Sequence, residues 1–283
     1  MSLGILTNVA ATYAENNLNQ TQNSLSKVLQ QLSSGSRINS GADDAAGLAV
    51  ADGLAANEAA LTQSAQNAQN GVGLLQTADG ALSQVTNLLN RAVTLATEAS
   101  NGGLTTAQSA SADTEFQSIV TEIGNIGTST NFNSTAVFSA TATNFVVSDG
   151  TTSGTTTFAD TVGALTNASI GTASGGGAGE DLSAAVLTSQ TAAKAALAKI
   201  TSAVGDVANQ RGSIGADINQ LNAAAGVSSS EEVNLSAAES TIRSTNYGQA
   251  TSDLAKFQVL SQTGISALAQ ANSVQQEILK LLQ

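Results

Sequence analysis

Residues 253–283, DLAKFQVLSQTGISALAQANSVQQEILKLLQ, decide how the rest of the chain is read. The segment lacks proline, and its strongest apolar residues are Leu254, Phe257, Ile265, Leu268, Ile278 and Leu282. Counted from Leu254 they fall at offsets 0, 3, 11, 14, 24 and 28, close to a beat of 3.5 residues. That beat predicts a helix with an apolar seam that packs on a partner helix. Off the seam, the only charges are Asp253, Lys256, Glu277 and Lys280, amid Ser, Gln, Ala, Asn and Thr. A face that is neither apolar nor charged suits contact with other protein better than open water. An end segment of this kind has little core of its own and is expected to order beside neighbours. The plainer alternative is the last helix of an ordinary bundle.

The opposite end has the same character. Leu18, Leu25 and Leu32 are seven apart, Val28 and Leu29 widen the stripe, and residues 3–32 read as a helix. Only Glu15, Lys27 and Arg37 carry side-chain charge before Ala42. The two ends are natural partners for an antiparallel pair, marginal alone because most of its surface stays wet.

Composition narrows the function. The 283 residues carry 21 acidic against 9 basic side chains, a net charge of −12. This argues against nucleic acid or an anionic membrane surface as a partner, and no apolar run nears the ~18 residues of a membrane span. No secretory signal is visible: the first basic residue is Lys27, and the early apolar run is interrupted at Asn8. Cysteine and histidine are both absent, which removes disulfides, thiolate metal sites, the commonest general base and the commonest metal ligand. No cofactor, metal or catalytic residue is expected. Proline and tryptophan are also absent, and Ala, Leu and Gln abound, which favours long, slender helices.

Between the ends, Gly35 is placed to stop the first helix, and Asp43 and Asp44 fall where the first turn of the next is expected. The paired aspartates lack the third ligand that a metal or acid–base site needs. From Leu54 through Leu61, Ala68, Leu75, Leu82 and Leu89 to Ala96 every step is seven, so residues 45–101 predict one helix of roughly 85 Å. Gly71, Gly73 and Gly80 weaken it unless neighbours approach closely. After a turn at residues 101–103 a returning helix runs to about Ile126 with Phe116, Ile119, Val120 and Ile123 inward, and Phe132 and Phe138 close the region. Residues 135–161 change period, and the runs around Phe145 and Phe158 predict a β-hairpin. The Gly-rich end of 168–179 reads as a linker, since a phosphate cradle needs a following Lys and a preceding strand. Helical spacing resumes over 183–225, with a break expected at Gly226 and Ser228–Ser230, and a last run from Glu231 to Tyr247 leads into the terminal helix. The fold class is mainly α: an out-and-back elongated helical rod, terminal coiled-coil helices and a small β-hairpin tip.

Three stretches carry a resemblance. LSSGSRINSGADDAAGLAVADGL (32–54) closely resembles the N-terminal signature of bacterial flagellin. GALSQVTNLLNRAVTLATEASNG (80–102), and NLSAAESTIRSTNY (234–247) with the terminal helix (254–282), are similar to the family as well, in its order. The likeness implies the subunit of the bacterial motility filament. It assigns 1–42 and 245–283 to an inner coiled-coil tube, 43–138 and 183–244 to an outer helical rod, and 139–182 to a solvent-facing tip. It makes Leu18, Leu25, Leu32, Leu254, Phe257, Ile265, Leu268, Ile278 and Leu282 subunit-packing residues. The implied partners are other copies of the chain, hook-associated and cap proteins, and an export chaperone on the C-terminal helix. The implied location is outside the cell, after export unfolded through the flagellar type III apparatus. Family members often carry large outer domains for which this chain has no room, so a thin, smooth filament is expected, with O-linked glycans conceivable on the Ser/Thr-rich tip. Arg91 and Leu95 match the motif by which certain flagellins engage Toll-like receptor five, and Glu115 a further contact, while Asn90 and Thr94 depart from the pattern. For the same residues the plain reading makes Leu95 core and Arg91 a solvated charge. A hook–filament junction protein, a soluble adhesin-like rod and, more distantly, an enzyme remain as alternatives.

Overall fold

The structure is a computed structural model that describes residues 8–148, 157–172 and 179–281, with side chains as far as Glu277. It is 74% helical. Its described helices are α1 (Val9–Ser34), α2 (Ala45–Ala99), α3 (Thr106–Ser129), α4 (Gln190–Arg243) and α5 (Tyr247–Leu281). Two antiparallel hairpins interrupt them: β1 (Asn131–Phe132) with β2 (Thr135–Ala136), and β3 (Thr143–Val146) with β4 (Thr157–Asp160).

Local chemistry sets the helix ends. Asn8 accepts the Ala11 N–H ahead of α1, and Gly35 closes that helix with φ at 70°, a left-handed turn that a side chain resists. Thr105 and Gln108 form a reciprocal capping box on α3. Asp44 accepts the Gly47 N–H and so caps α2 from just outside it. Asp43 is not in the helix either, contrary to the sequence expectation. Its Oδ2 collects the Asn39 and Ser40 N–H groups and fixes the preceding loop.

The chain divides into two compact units, residues 1–56 with 234–283, and residues 57–233. The second unit holds a continuous core. Leu61, Ala68, Leu75, Leu82, Leu89 and Ala96 of α2 are all buried, as the seven-residue beat requires. Ala193, Ile200, Val207, Ile214 and Leu221 answer them from α4 on the same beat. Within this unit the two helices run antiparallel: the Ser64 and Ser228 hydroxyls meet at 3.4 Å, Leu221 lies over Gly71, and Arg211 binds Asp79 at 2.7 Å. α3 adds Phe116, Ile119 and Ile123. The segment after β4 brings Val162, Leu165, Ile170, Leu182 and Leu187 into the same core, and its Leu165 carbonyl sits where any side chain at Gly127 of α3 would stand.

Several expectations need correction. α4 does not break at Gly226 and Ser228–Ser230. With no proline there, the sequence imposes only a propensity cost of about 1 kcal/mol for the glycine. The serines are answered: Ser230 donates to the Gly226 carbonyl at 2.9 Å, and Ser228 is buried against Ser64. α4 also begins only at Gln190: Asp181 holds the Ser183 N–H and hydroxyl in a turn, Asp113 accepts the Leu187 N–H, and the Ser189 hydroxyl accepts the Ala192 N–H at the helix start. The β1–β2 hairpin was not foreseen. Its two-residue loop, Asn133-Ser134, has φ of 49° and 63°, the double left-handed turn that fits strand twist. The β3–β4 hairpin is present with Phe145 opposite Phe158, while residues 149–156 between its strands and most of the Gly-rich segment lie outside the described residues. Neighbours do approach Gly71 and Gly73, where Phe145 and Phe132 pack, but none stands near Gly80.

Candidate assembly surface

The first unit contains a two-helix coil. α1 and α5 run antiparallel: the Asn8 amide donates to the Ala271 carbonyl at 2.9 Å, Leu18 packs over Gly264, and the Thr245 N–H donates to the Gly35 carbonyl at 3.0 Å. The inward row of α1 is Ala11, Ala14, Leu18, Thr21, Leu25, Val28 and Leu32; that of α5 is Ala250, Leu254, Phe257, Ser261, Gly264, Leu268 and Ala271. Both alternate steps of three and four, the coiled-coil rhythm. Leu18, Leu25, Leu32, Leu254, Phe257 and Leu268 thus lie on the seam, half-buried. Ile265 does not: Gly264 occupies that seam place and Ile265 points outward, 49% exposed. A count at a strict 3.5 beat from Leu254 passes both positions, and an apolar side chain wins over glycine on paper. The side chains of Ile278 and Leu282 lie outside the described residues.

The seam is thin. Within α1 and α5 only Val28 and Ala250 are fully buried among the described apolar residues. Much apolar surface instead faces away from it: Tyr13 is 65% exposed, Val259 62%, Leu29 48% and Leu260 43%. Leu29, expected to widen the inward stripe of α1, faces out instead, and Tyr13, Val259 and Leu260 escape a single-seam reading because they are off-beat, yet an apolar residue off the seam of a nearly uncharged helix is itself a signal of a second contact. The intervening hydroxyls are occupied locally: Thr21, Ser24, Thr251, Thr263 and Ser266 each donate to a carbonyl one turn back.

The coil is fastened at one end by the loop after α1. The Arg37 N–H and guanidinium donate to the Arg243 and Ile242 carbonyls, and Ile38 is buried beneath. Lys27 pairs with Asp43 at 2.7 Å. The Lys27 hydrogen bond, followed by the backbone bond from Asn39, lowers the Asp43 pKa to about 2. Arg243 bridges Glu239 and Asp52 at 2.9 and 3.7 Å.

In the second unit, Arg91 of α2 and Glu115 of α3 form an exposed ion pair at 2.7 Å. Each stabilises the other's charge, raising the Arg91 pKa and lowering that of Glu115. Leu95, one turn on, is buried in the core at 4% exposure. Among the described residues no three potential metal ligands cluster, and no helix is long and apolar enough to cross a membrane.

Residues 5–143 match the bacterial flagellin N-terminal helical region, and residues 197–282 the bacterial flagellin C-terminal helical region. The flagellin of Halalkalibacterium halodurans is 33% identical over 275 residues, 97% of this chain and 98% of that one. The chain belongs to the bacterial flagellin family. Flagellin FlaB2 of Treponema pallidum is 32% identical over 284 residues and 98% of its own length. A crystal structure of Bacillus cereus flagellin covers 57% of this chain and 88% of its own, at 24% identity and a TM-score of 0.47. As a flagellin the chain is a structural subunit of the flagellar filament, of the short form without large outer domains. The junction-protein and adhesin alternatives gain no support from these relatives.

Proposed function

We propose that this flagellin polymerises through the outward faces of α1 and α5, each copy covering the apolar residues its neighbour leaves wet. The observation that carries the reading is Val259, Leu260 and Ile265 exposed on a helix with almost no charge. In this scheme 1–42 and 245–283 form the inner tube, 43–138 and 183–244 the outer rod, and 139–182 the solvent face. Leu18, Leu25, Leu32, Leu254, Phe257 and Leu268 hold the pair together, while Ile265, with Ile278 and Leu282, makes contact between copies. Contacts of this kind extend without closing and yield a helical fibre.

The thin seam also supports export of the chain unfolded through the type III apparatus, with a chaperone on 254–283 until cap and hook-associated proteins receive it outside the cell. Removing residues 254–283 should abolish filaments seen by electron microscopy after seeding. Filaments of undiminished length would overturn the proposal.

A second reading concerns Toll-like receptor five. The exposed Arg91–Glu115 pair supplies the contact, and buried Leu95 serves to hold Arg91 in place. Arg91→Ala should lower receptor signalling by monomer, and unchanged signalling would remove the site.

A further inference from the structure

The chain contains two Asn-Gly pairs, Asn70-Gly71 and Asn101-Gly102. An asparagine followed by glycine readily loses its side-chain amide, because no Cβ shields the backbone nitrogen that attacks it. The two pairs sit in opposite surroundings. Asn70-Gly71 lies inside α2. There the helix ladder takes the Gly71 N–H, the helical backbone holds that nitrogen away from the Asn70 side chain, and Gly71 is buried against Leu221 and Phe145.

Asn101-Gly102 lies in the turn between α2 and α3, where residues 101–103 are all exposed. The bonds of α2 run out at this point. The Ser100 N–H donates to the Ala96 carbonyl at 2.9 Å and the Asn101 N–H to the Glu98 carbonyl at 3.1 Å. The next engaged N–H is that of Thr105, which donates to Gln108 Oε1 at 2.8 Å. Among the described residues none accepts the Gly102 N–H or bonds the Asn101 carboxamide. A loop position alone does not create this state. In Asn39-Ser40, after α1, the Asn39 amide donates to the Ser36 carbonyl at 2.9 Å and the Ser40 N–H to Asp43 Oδ2 at 3.1 Å, so both reacting groups are occupied.

We propose that Asn101 is a site of spontaneous modification, which ages to aspartate and isoaspartate in the folded chain while Asn70 and Asn39 are preserved. The Gly102 nitrogen gives up its proton and attacks Cγ of Asn101. The new N–Cγ bond closes a succinimide ring, the Cγ–Nδ2 bond breaks, and Nδ2 leaves as ammonia. Water then opens the ring at either carbonyl. One water is consumed, one ammonia is released, and nothing is oxidised or reduced. The product places a carboxylate just past the C-terminal end of α2, close after Glu98, where negative charge is disfavoured. Isoaspartate also inserts a methylene into the backbone beside Gly102, which neighbours the Gln190 carboxamide at the start of α4. The site lies within residues 57–233 and stands independently of the assembly reading.

Full-length monomer held at mildly alkaline pH, digested in mild acid and read by peptide mass and enzymatic isoaspartyl methylation, tests this. Product should form at Asn101 at least about a hundredfold faster than at Asn70, whose reaction waits on local opening of a packed helix. The rate should rise with pH, because the attacking nitrogen must lose its proton. In urea the two pairs should react at similar rates. Gly102→Ala should slow Asn101 about tenfold or more by crowding the nitrogen. The turn accepts alanine, since Gly102 is outside the left-handed region and a Cβ there meets only the flexible end of Gln190, at 3.4 Å. Comparable rates at Asn70 and Asn101 in the folded chain overturn the proposal. So does an Asn101 that stays intact when folded, or one whose rate Gly102→Ala leaves unchanged.

Discussion

Residues 57–233 and the α1–α5 coil follow the same seven-residue rule with opposite results. In the former, thirty described residues form one buried apolar cluster, nine of them Ala and the rest Leu, Ile, Val and Phe. In the latter, the inward places include Ala11, Ala14, Thr21, Ser261, Gly264 and Ala271, and larger apolar residues such as Val259 and Ile265 are turned to solvent. Rhythm alone does not make a core. What sits on the beat decides whether a segment is stable by itself or waits for company.

The contrast can be broken by substitutions that act on one region and spare the other. Val259→Asp with Ile265→Asp should have the largest effect, loss of seeded filament growth. The monomer should keep its circular dichroism and unfolding midpoint, because both side chains are already wet. A folded monomer that still polymerises would mean that these faces are not the contact. Leu82→Ala acts in the other region and should cost about 2–5 kcal/mol in denaturant unfolding, the range for emptying a packed core position. An equal change at half-buried Leu254 should move monomer stability much less. Lys27→Met is the gentlest. The depressed Asp43 pKa means that its contribution is present above the ordinary carboxylate value of 3.8 and fades as pH falls toward about 2. The variant should narrow the difference in thermal midpoint between neutral and acid conditions while leaving assembly intact, as differential scanning calorimetry would read.

Much of the fold was legible in the sequence because long helices announce themselves. The heptads of α2, Gly35 as a stop, and the change of period near Phe145 all lie in local order. What escaped depended on tertiary context. Gly226 and Ser228 look like a break until Ser64 is seen to receive Ser228. Asp43 looks like a helix residue until Lys27 and the Asn39 N–H claim it. Ile265 looks like a seam residue until Gly264 is found opposite Leu18. The proposed assembly surface is half legible in the sequence: low charge singles out α1 and α5, but a search for a single seam hides the apolar residues that face outward.

The hydroxyls along α1 and α5 carry a further consequence. Thr21, Ser24, Thr251, Thr263 and Ser266 have already given their protons to their own helices, so drying those positions strands no donor there, and a neighbour need not match them one by one. A surface of that sort prescribes contact without prescribing a single alignment. If α1 and α5 make the contacts proposed above, adjacent copies can settle at slightly different offsets.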